Sequence, residues 1–493
     1  MIYLRIRSSR LLNVCLPQNE RRRRAEVRVE VQDLVELMIY LILIAFALAA
    51  ECLRRYLKDG DEVPLVTSAL CILIVYRGWL LDSGRVDPVA FQYGIDFVYD
   101  HQSILTATLL ILVGFVSFTI SYYSATSRHF GPALNKREID NSHDFRRFLA
   151  RHVPVLWSAA AIFIILYKAQ TLLGPQQMGT GGTGGSSYLF LFGMGISSFI
   201  IGLAVYGDIL HPRDTGRWFY FGAAGLLSIL TFNPSLRFQM LGWALFLVIY
   251  FSRRLPPLKR LVNYGMAGAI IAIGFSVLGG MRHEISNARS ISENIAAGNE
   301  AFFEANDVNF VDGMVMVGQV YPKHLDYSLG IEHLEILLRP IPRAWWPNKP
   351  KGGWAQKWAT KNGMDNFGTG ISPSIFGTFY AEGGLIGIAF FSLLYGWGLG
   401  RLMVWSRRFR SAIRTILKGV IIASSFAMIR GGDLPGTVAF LGMSFWPIGL
   451  FLYYYLNSIR EQKKVRRKKK RFVGKRPKPS HESRANDEGR NTV

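Results

Sequence analysis

Long apolar runs constrain the fold of this chain more than any other feature. Half of its residues are hydrophobic, and the apolar runs extend over about 17–25 residues with few charges, the length that crosses the hydrocarbon core of a bilayer. In lipid such a run must satisfy its own backbone hydrogen bonds, which a helix does. The sequence therefore predicts an all-α polytopic integral membrane protein with about 11 transmembrane helices.

The apolar runs divide the chain into five parts. The predicted spans are residues 34–53, 63–81, 103–124, 153–173, 187–210, 218–232, 238–251, 261–281, 372–402, 415–429 and 434–456. Eight of them lie in residues 34–281 and three in residues 372–457. The other parts are a basic N-terminal extension at 1–33, one long external loop with short helices at 282–371, and a basic tail at 458–493. The short runs at 218–232 and 238–251 have a re-entrant pair as their alternative.

Basic residues are distributed in a way that predicts membrane orientation. A net charge of +23 would suggest nucleic acid in a soluble protein, but here the excess concentrates at both ends and in alternate loops. Lys and Arg are frequent at 54–58, 128–151, 213–217, 253–260 and 407–414, and scarce at 82–102 and 174–186. Cytoplasmic loops carry this excess, and basic runs attract anionic lipid. We expect a cytoplasmic C-terminus, a periplasmic loop at 282–371 and no nucleic-acid partner.

The N-terminal region conflicts with that orientation. The scheme places the N-terminus outside, yet four arginines at 21–24 precede the first span. A start at Met38 removes the conflict, because the chain then opens directly into a helix. We expect residues 1–37 to be an extension of the true start.

Motifs of several soluble catalytic sites are absent from the sequence. There is no Gly-x-x-x-x-Gly-Lys-Ser/Thr phosphate loop, His-Glu-x-x-His, Cys-x-x-Cys or Gly-x-Ser-x-Gly. Asp59-Gly-Asp61 resembles the metal-binding pair of nucleotide-sugar transferases, but in a very short loop it predicts a turn. We expect no cofactor and no metal.

Arginines gather at the predicted outer ends of spans, where the orientation rule does not favour them. They are Arg237, Arg282, Arg289, Arg339, Arg343 and Arg430. The planar guanidinium fork matches phosphate oxygens and stays charged, so several forks at one lipid–water boundary predict a site for a lipid diphosphate whose tail remains in the bilayer. For each arginine, snorkelling at a helix end is the alternative.

The long loop holds candidate sugar-binding and basic residues. Residues 339–350 (RPIPRAWWPNKP) form a stiff cationic segment in which Trp345 and Trp346 either stack on sugar or anchor in the interface. His324 and His333 are candidate general bases. The rival carboxylates are Glu284, Asp312, Glu332, Glu335 and Glu382. We expect residues 299–319 to lie along the membrane interface and 331–338 to form a short helix.

These features together resemble the O-antigen polymerase (Wzy-type) family of oligosaccharide repeat-unit polymerases. The resemblance covers about residues 233–432. It rests on an arginine that opens a mid-chain span, an arginine that leads into the long loop, IPRAWWPNKP at 341–350, and SPSIFGTFY at 372–380 followed by glycines at 383, 384 and 387. Arginines at loop edges are shared with O-antigen ligases. Many members place an acid shortly before the tyrosine, whereas here Glu382 follows Tyr380.

The resemblance implies a multi-pass glycosyltransferase of the bacterial inner membrane that works on the periplasmic face without metal. It would transfer a growing O-antigen, capsule or exopolysaccharide from undecaprenyl diphosphate to the sugar hydroxyl of an incoming lipid-linked repeat unit. The implied partners are that lipid-linked oligosaccharide, membrane lipid, a chain-length regulator and a flippase. The alternatives are an O-antigen ligase, which transfers glycan to lipid A-core, and a lipid-linked oligosaccharide flippase.

The implied site has three groups of residues. Arg339 and Arg343 act in catalysis with His324 or His333 as the base. The diphosphate binders are Arg237, Arg282, Arg289 and Arg430, and the sugar-stacking residues are Trp345, Trp346 and Tyr380.

Overall fold

The fold is known from a computed structural model. It describes residues 18–89, 97–127, 142–173, 193–231, 237–284, 309–338, 341, 345–346, 353–363, 371–409 and 411–473. Within these residues the chain is helical and has no strands. The helices are α1 Gln18–Asp59, α2 Glu62–Asp82, α3 His101–Ser127, α4 Ser142–Arg151, α5 Val153–Leu173, α6 Ile196–Leu210, α7 Gly216–Leu230, α8 Arg237–Ser252, α9 Pro257–Glu284, α10 Phe310–Val320, α11 Ile331–Leu338, α12 Trp354–Lys361, α13 Ser374–Ser406, α14 Ser411–Arg430 and α15 Leu434–Val473.

Five of these helices are long and apolar enough to cross a membrane by themselves. They are or lie within α1, α2, α3, α13 and α15, and the bent pair Phe145–Arg151 and Val153–Leu166 makes a sixth if it forms one span. The predicted all-helical class is confirmed and the helices indicate a membrane protein, but the count of eleven spans is not confirmed. The apolar helix Ile196–Leu210 has 15 residues and α7 also has 15, which is shorter than the roughly 20 that a bilayer core needs.

The turn between α1 and α2 has the form that its sequence predicts. Gly60 adopts a φ of +67°, a conformation that L side chains rarely adopt. Asp61 then caps α2 by accepting a hydrogen bond from the backbone N–H of Val63 at 3.4 Å. Its second carboxylate oxygen accepts from the Tyr122 hydroxyl at 2.7 Å, so the second aspartate of Asp59-Gly-Asp61 has a structural role.

Helices α3 and α13 form the most extensive helix pair of the described bundle. A Cβ on Gly396 would lie 2.2 Å from the carbonyl oxygen of Phe118, and one on Gly400 would lie 2.8 Å from the Cβ of Ala125. Two glycines four residues apart let helix backbones approach closely, as membrane helices commonly do. This packing holds α13 against α3.

Helix α13 is broken near its beginning by two successive glycines. Gly384 has a φ of +62°, which interrupts the helix after Glu382. The break frees the carbonyl oxygens of Ala381 and Glu382, and these accept hydrogen bonds from the backbone N–H groups of Ser328 (2.9 Å) and Leu329 (3.0 Å). The kink therefore binds the segment that leads into α11.

Helix α10 lies inside the bundle rather than along its surface. We expected residues 299–319 to follow the membrane interface, but nearly every residue of α10 is buried, and the helix packs against α2, α3 and α13. Its one acid, Asp312, is fully buried and pairs with Arg77 of α2 through Nη2–Oδ1 and Nε–Oδ2 contacts of 3.0 and 3.2 Å. For residues 309–319, which the structure describes, the expectation was wrong, because neutralising this acid lets the otherwise apolar helix enter the core.

Candidate functional site

The candidate site lies at the end of the bundle where α13 begins, α14 ends and α15 begins, which we call the Arg430 end. Its centre is Glu382, the last residue before the kink in α13, which is 1 % exposed. The Glu382 carboxylate accepts hydrogen bonds from the backbone N–H groups of Gly330 and Glu332, the second at 3.0 Å. A carboxylate favours the free N–H groups at a helix start. Glu382 thus positions α11 and its acidic side chains.

His333 is held by the same carboxylate. Its Nδ1 lies 3.2 Å from Oε1 of Glu382, and because an ionised carboxylate only accepts, Nδ1 carries the proton. The ring stacks on Phe391 with 4.2 Å between centroids and meets the edge of Tyr395 at 5.7 Å. Its Nε2 is buried and has no hydrogen-bond partner among the described residues. The contact with Glu382 fixes the tautomer of His333. The other ring nitrogen, Nε2, lies among aromatic side chains.

Glu332, Glu335 and Lys357 form the charged part of the site. The two glutamates are three residues apart and so share one face of α11, which faces α12. The Lys357 ammonium lies 2.8 Å from Oε1 of Glu332 and 3.6 Å from Oε1 of Glu335. It also donates to the Ser328 hydroxyl at 3.3 Å. Both glutamates are buried, so the lysine neutralises charge that water does not reach.

The pKa of Glu332 is shifted to near-neutral pH. Burial raises the pKa of Glu332 to about 7, although the ammonium of Lys357 opposes this rise, and the charges of Asp433 and Glu335 add to it. Burial lowers the pKa of Lys357, but the carboxylates of Glu332 and Glu335 outweigh burial and hold this pKa above its usual value. Glu332 can therefore exchange a proton near pH 7 while the lysine beside it stays charged.

The turn between α14 and α15 closes the site. The Thr378 hydroxyl donates to the carbonyl oxygen of Gly432 at 3.2 Å, and the Ser372 hydroxyl donates to that of Arg430. A Cβ on Gly353 would lie 3.4 Å from the side chain of Asp433. These contacts bring Arg430 and Asp433 to the start of α13 and to the residue before α12, beside the charged part of the site.

An aromatic wall adjoins the charged residues. Tyr321 and Tyr327 stack with 6.3 Å between centroids, and Tyr327 meets Tyr380 edge-on at 6.2 Å. On the same side, Trp358 packs against His324 at 5.5 Å and against Phe97 at 6.2 Å. Tyr327 directly precedes Ser328, which accepts a hydrogen bond from Lys357. The aromatic wall therefore adjoins the charged part of the site.

Helix α11 has its polar and apolar faces reversed relative to a helix on a soluble protein. Its acids Glu332 and Glu335 are buried, whereas Leu334 and Leu337 are exposed, as is Leu329 just before it. A surface helix in water buries its apolar face instead. The reversal fits an element that turns its leucines to lipid and its acids to a polar site inside the protein.

Several predicted residues lie outside the part of the chain that the structure describes. Arg289, Arg339 and Arg343 are not among the described residues. The backbone is described for Arg237 in the first turn of α8 and for Arg282 and Glu284 at the end of α9, but their side chains are not. Of the six predicted arginines, only Arg430 has a described side chain. It stands at the site, as its position at the end of α14 requires.

The other predicted residues divide between the site and its surroundings. His333 and Tyr380 belong to the site, whereas His324 lies on the far side of Trp358 and its carbonyl oxygen accepts from Lys361. Trp345 and Trp346 are both exposed, 81 % and 37 %. Among the rival bases, the carboxylate of Asp312 is paired with Arg77, and the carboxylate of Glu382 accepts hydrogen bonds from the backbone at the start of α11.

Sequence reasoning did not identify Lys357. The residue sits between two tryptophans in WAQKW at 354–358, a pattern that draws attention to the indoles. The available signal was Glu332 and Glu335, because two acids on one face of a short, otherwise apolar helix need a cation when they are buried. The sequence does not indicate which cation.

The described site can hold a proton on Glu332 and present fixed positive charges at Lys357 and Arg430. Its carboxyl groups outnumber its cations in the described residues, so a phosphate group would need the positive charge of Arg430 and further arginines. A comparison with protein-family models, with characterised proteins and with solved structures found no match to this chain.

Proposed function

We propose that this protein is a membrane glycosyltransferase that polymerises oligosaccharide repeat units carried on undecaprenyl diphosphate. The growing glycan passes to a sugar hydroxyl of the incoming repeat unit, and undecaprenyl diphosphate leaves. In this proposal the Arg430 end of the bundle faces the periplasm of a bacterial inner membrane, the C-terminus is cytoplasmic, and no metal or cofactor takes part.

One observation carries the proposal: a buried carboxyl with a pKa near 7, Glu332, lies beside Lys357 at the end of the bundle that also bears Arg430. A hydroxyl that attacks a sugar carbon must lose its proton, and a general base works best when its pKa is near the ambient pH. Glu332 replaces His324 as the favoured base. His333 remains the alternative, because Glu382 fixes its tautomer.

The diphosphate is assigned to arginines in this proposal. Arg430 supplies one fork at the site, and Arg237, Arg282, Arg289, Arg339 and Arg343 supply the rest. As the glycan leaves the carrier, negative charge grows on the diphosphate, and fixed guanidinium groups stabilise it in a water-poor site. Tyr380 and the two exposed tryptophans are the proposed contacts of the sugars.

Deleting the gene and examining the glycans tests the function directly. Loss of a polymerase leaves single repeat units on the final acceptor, loss of a ligase leaves lipid-linked long polymer, and loss of a flippase strands repeat units inside the cell. We expect single units. Purified protein should also extend a lipid-linked repeat unit into a ladder without added metal, and a failure of that reaction together with normal glycans in the deletion strain would refute the proposal.

Complementation with variants tests the assigned residues. Glu332→Gln keeps the shape but cannot take a proton, and Arg343→Lys keeps the charge but loses the fork. We expect both to give short products at normal protein levels. The matched controls are Glu461→Gln, an exposed acid on the α15 extension, and Arg213→Lys in the exposed turn between α6 and α7, which should restore the full ladder.

A further inference from the structure

An apolar groove runs along α13 on the side that faces α14. It has a volume of about 340 Å³ and is lined by residues that include Phe118, Phe379, Tyr395, Gly398, Leu402 and Ile429. We call it the α13 groove. Its lining from α13 comes from both sides of the kink, and Phe379 before the kink packs against Tyr395 after it with 5.1 Å between ring centroids.

The lining determines what class of molecule the groove accepts. Its surface is almost entirely apolar, and the Oγ of Ser425 at its edge already donates to the carbonyl oxygen of Ile422 at 2.8 Å. A sugar or a phosphate would lose its hydrogen bonds with water there and gain none. A hydrocarbon chain would lose nothing, so the groove suits the apolar part of a ligand.

One end of the groove meets the charged site. On α14, Met428 and Ile429 line the groove, and the next residue is Arg430. On α13, Phe379 and Tyr395 line it, and both rings contact His333, which Glu382 holds. A ligand with its chain in the groove would therefore place its polar end among Arg430, His333 and Glu382.

We propose that the α13 groove holds the hydrocarbon chain of the lipid-linked substrate, with the diphosphate at Arg430. The inference rests on the proposed function for the identity of the polar group. The assignment to a substrate rather than to bulk lipid rests on the junction between the groove and the charged site. Bulk phospholipid is the competing occupant.

Two glycines provide a matched pair of variants. A Cβ on Gly398 in the groove, or on Gly225 on the exposed face of α7, would meet nothing within 4 Å, so a side chain can begin at both positions without a clash at Cβ. Both changes raise helix propensity by the same amount. Gly398→Leu fills the groove, Gly398→Ala fills it partly, and Gly225→Leu leaves it open.

The experiment uses the full-length protein in phosphatidylglycerol nanodiscs with two photoreactive probes of similar chain length. One is a diazirine-bearing isoprenoid diphosphate and the other a diazirine-bearing diacyl phospholipid. The isoprenoid diphosphate should label α13 and α14 in the wild type and in Gly225→Leu, and unlabelled isoprenoid diphosphate should compete. The leucine of Gly398→Leu should displace two or more carbons of the probe chain from the groove, which should weaken labelling about tenfold. Labelling of Gly398→Ala should lie between that of the wild type and that of Gly398→Leu. Size-exclusion profiles check folding.

The outcomes distinguish a failure of the groove assignment from a failure of the proposed function. Equal labelling of Gly398→Leu and wild type, or equal, uncompeted labelling by the phospholipid, overturns the inference. A normal glycan ladder from a protein whose groove takes no isoprenoid probe also overturns it and leaves the proposed function standing. Specific labelling that unlabelled isoprenoid diphosphate competes away, in a protein that does not polymerise repeat units, supports lipid binding in the groove and refutes the proposed function.

Discussion

Arg77 and Asp312 form an ion pair whose two side chains are both completely buried, with 3.0 Å between Nη2 and Oδ1. The pair joins α2 to α10 across 235 positions of sequence. The backbone N–H of Val89 also donates to Oδ1 of Asp312 at 3.0 Å, and the Arg77 guanidinium donates to the carbonyl oxygen of Asp87 at 3.2 Å. The ion pair therefore anchors α10 to α2 and to the segment that follows α2.

Breaking this pair on one side should destabilise the protein strongly. Arg77→Met leaves the Asp312 carboxylate buried without its cation, which costs about 3–5 kcal/mol. The double variant Arg77→Met with Asp312→Leu should be more stable than the sum of the single changes implies, because no charge is left unpaired. Thermal unfolding in detergent measures all three variants. Strictly additive losses would show that the two residues do not act as a pair.

The stability of the protein should depend on pH through Glu332. Its folded pKa, about 7, lies above the ordinary value of 4.5, so folding favours the protonated form. The stabilisation is full below pH 4.5 and is lost as pH rises to 7, and it amounts to about 3 kcal/mol. Glu332→Gln should flatten this part of the stability profile, whereas Glu461→Gln should leave it unchanged. A profile of Glu332→Gln that matches the wild type would contradict the assignment.

Removing the cation beside Glu332 should raise the pKa of that carboxyl further. Lys357→Met withdraws the charge that opposes the effect of burial, so the fall in stability should move to higher pH. Lys357→Arg keeps a cation and should shift the profile less. The pH at which half of the Glu332-dependent stability is lost is the quantity to compare, and a downward shift in Lys357→Met would exclude the proposed contact.

The kink in α13 should depend on Gly384 and not on its neighbour. Alanine at Gly384 must adopt a φ of +62°, which costs about 1–2 kcal/mol, and its Cβ would lie 2.9 Å from the Tyr327 hydroxyl. Alanine at Gly383, where φ is −175° and nothing lies within 4 Å, is the matched control. We expect Gly384→Ala to speed amide hydrogen exchange in residues 328–333, and Gly383→Ala to change it little.

Local properties of the fold were predictable from sequence because they depend on residues that are neighbours in the chain. The apolar runs predicted helices, and the structure has helices at all of the described ones. Asp59-Gly-Asp61 predicted a turn, which Gly60 forms. The number of spans was less predictable, since α7 and α6 have apolar composition but only 15 residues each.

The candidate site was predictable only in part. His333, Tyr380 and Arg430 were identified by residue type and position, whereas Lys357 was not. Glu382 was identified as a rival base, but its carboxylate instead receives the N–H groups at the start of α11. The roles of these residues depend on contacts between segments 25 to 52 positions apart.

The sequence by itself determined that the chain is helical and has helices long and apolar enough to cross a membrane, because hydropathy and helix formation act over a few turns. Only the tertiary structure decided that α10 lies in the core, that the break of α13 at Gly384 receives the segment before α11, and that Glu332 and Lys357 meet in a buried site. These outcomes depend on which distant charge or hydrogen-bond donor compensates each buried polar group, and an amino-acid pattern along the chain does not specify that partner.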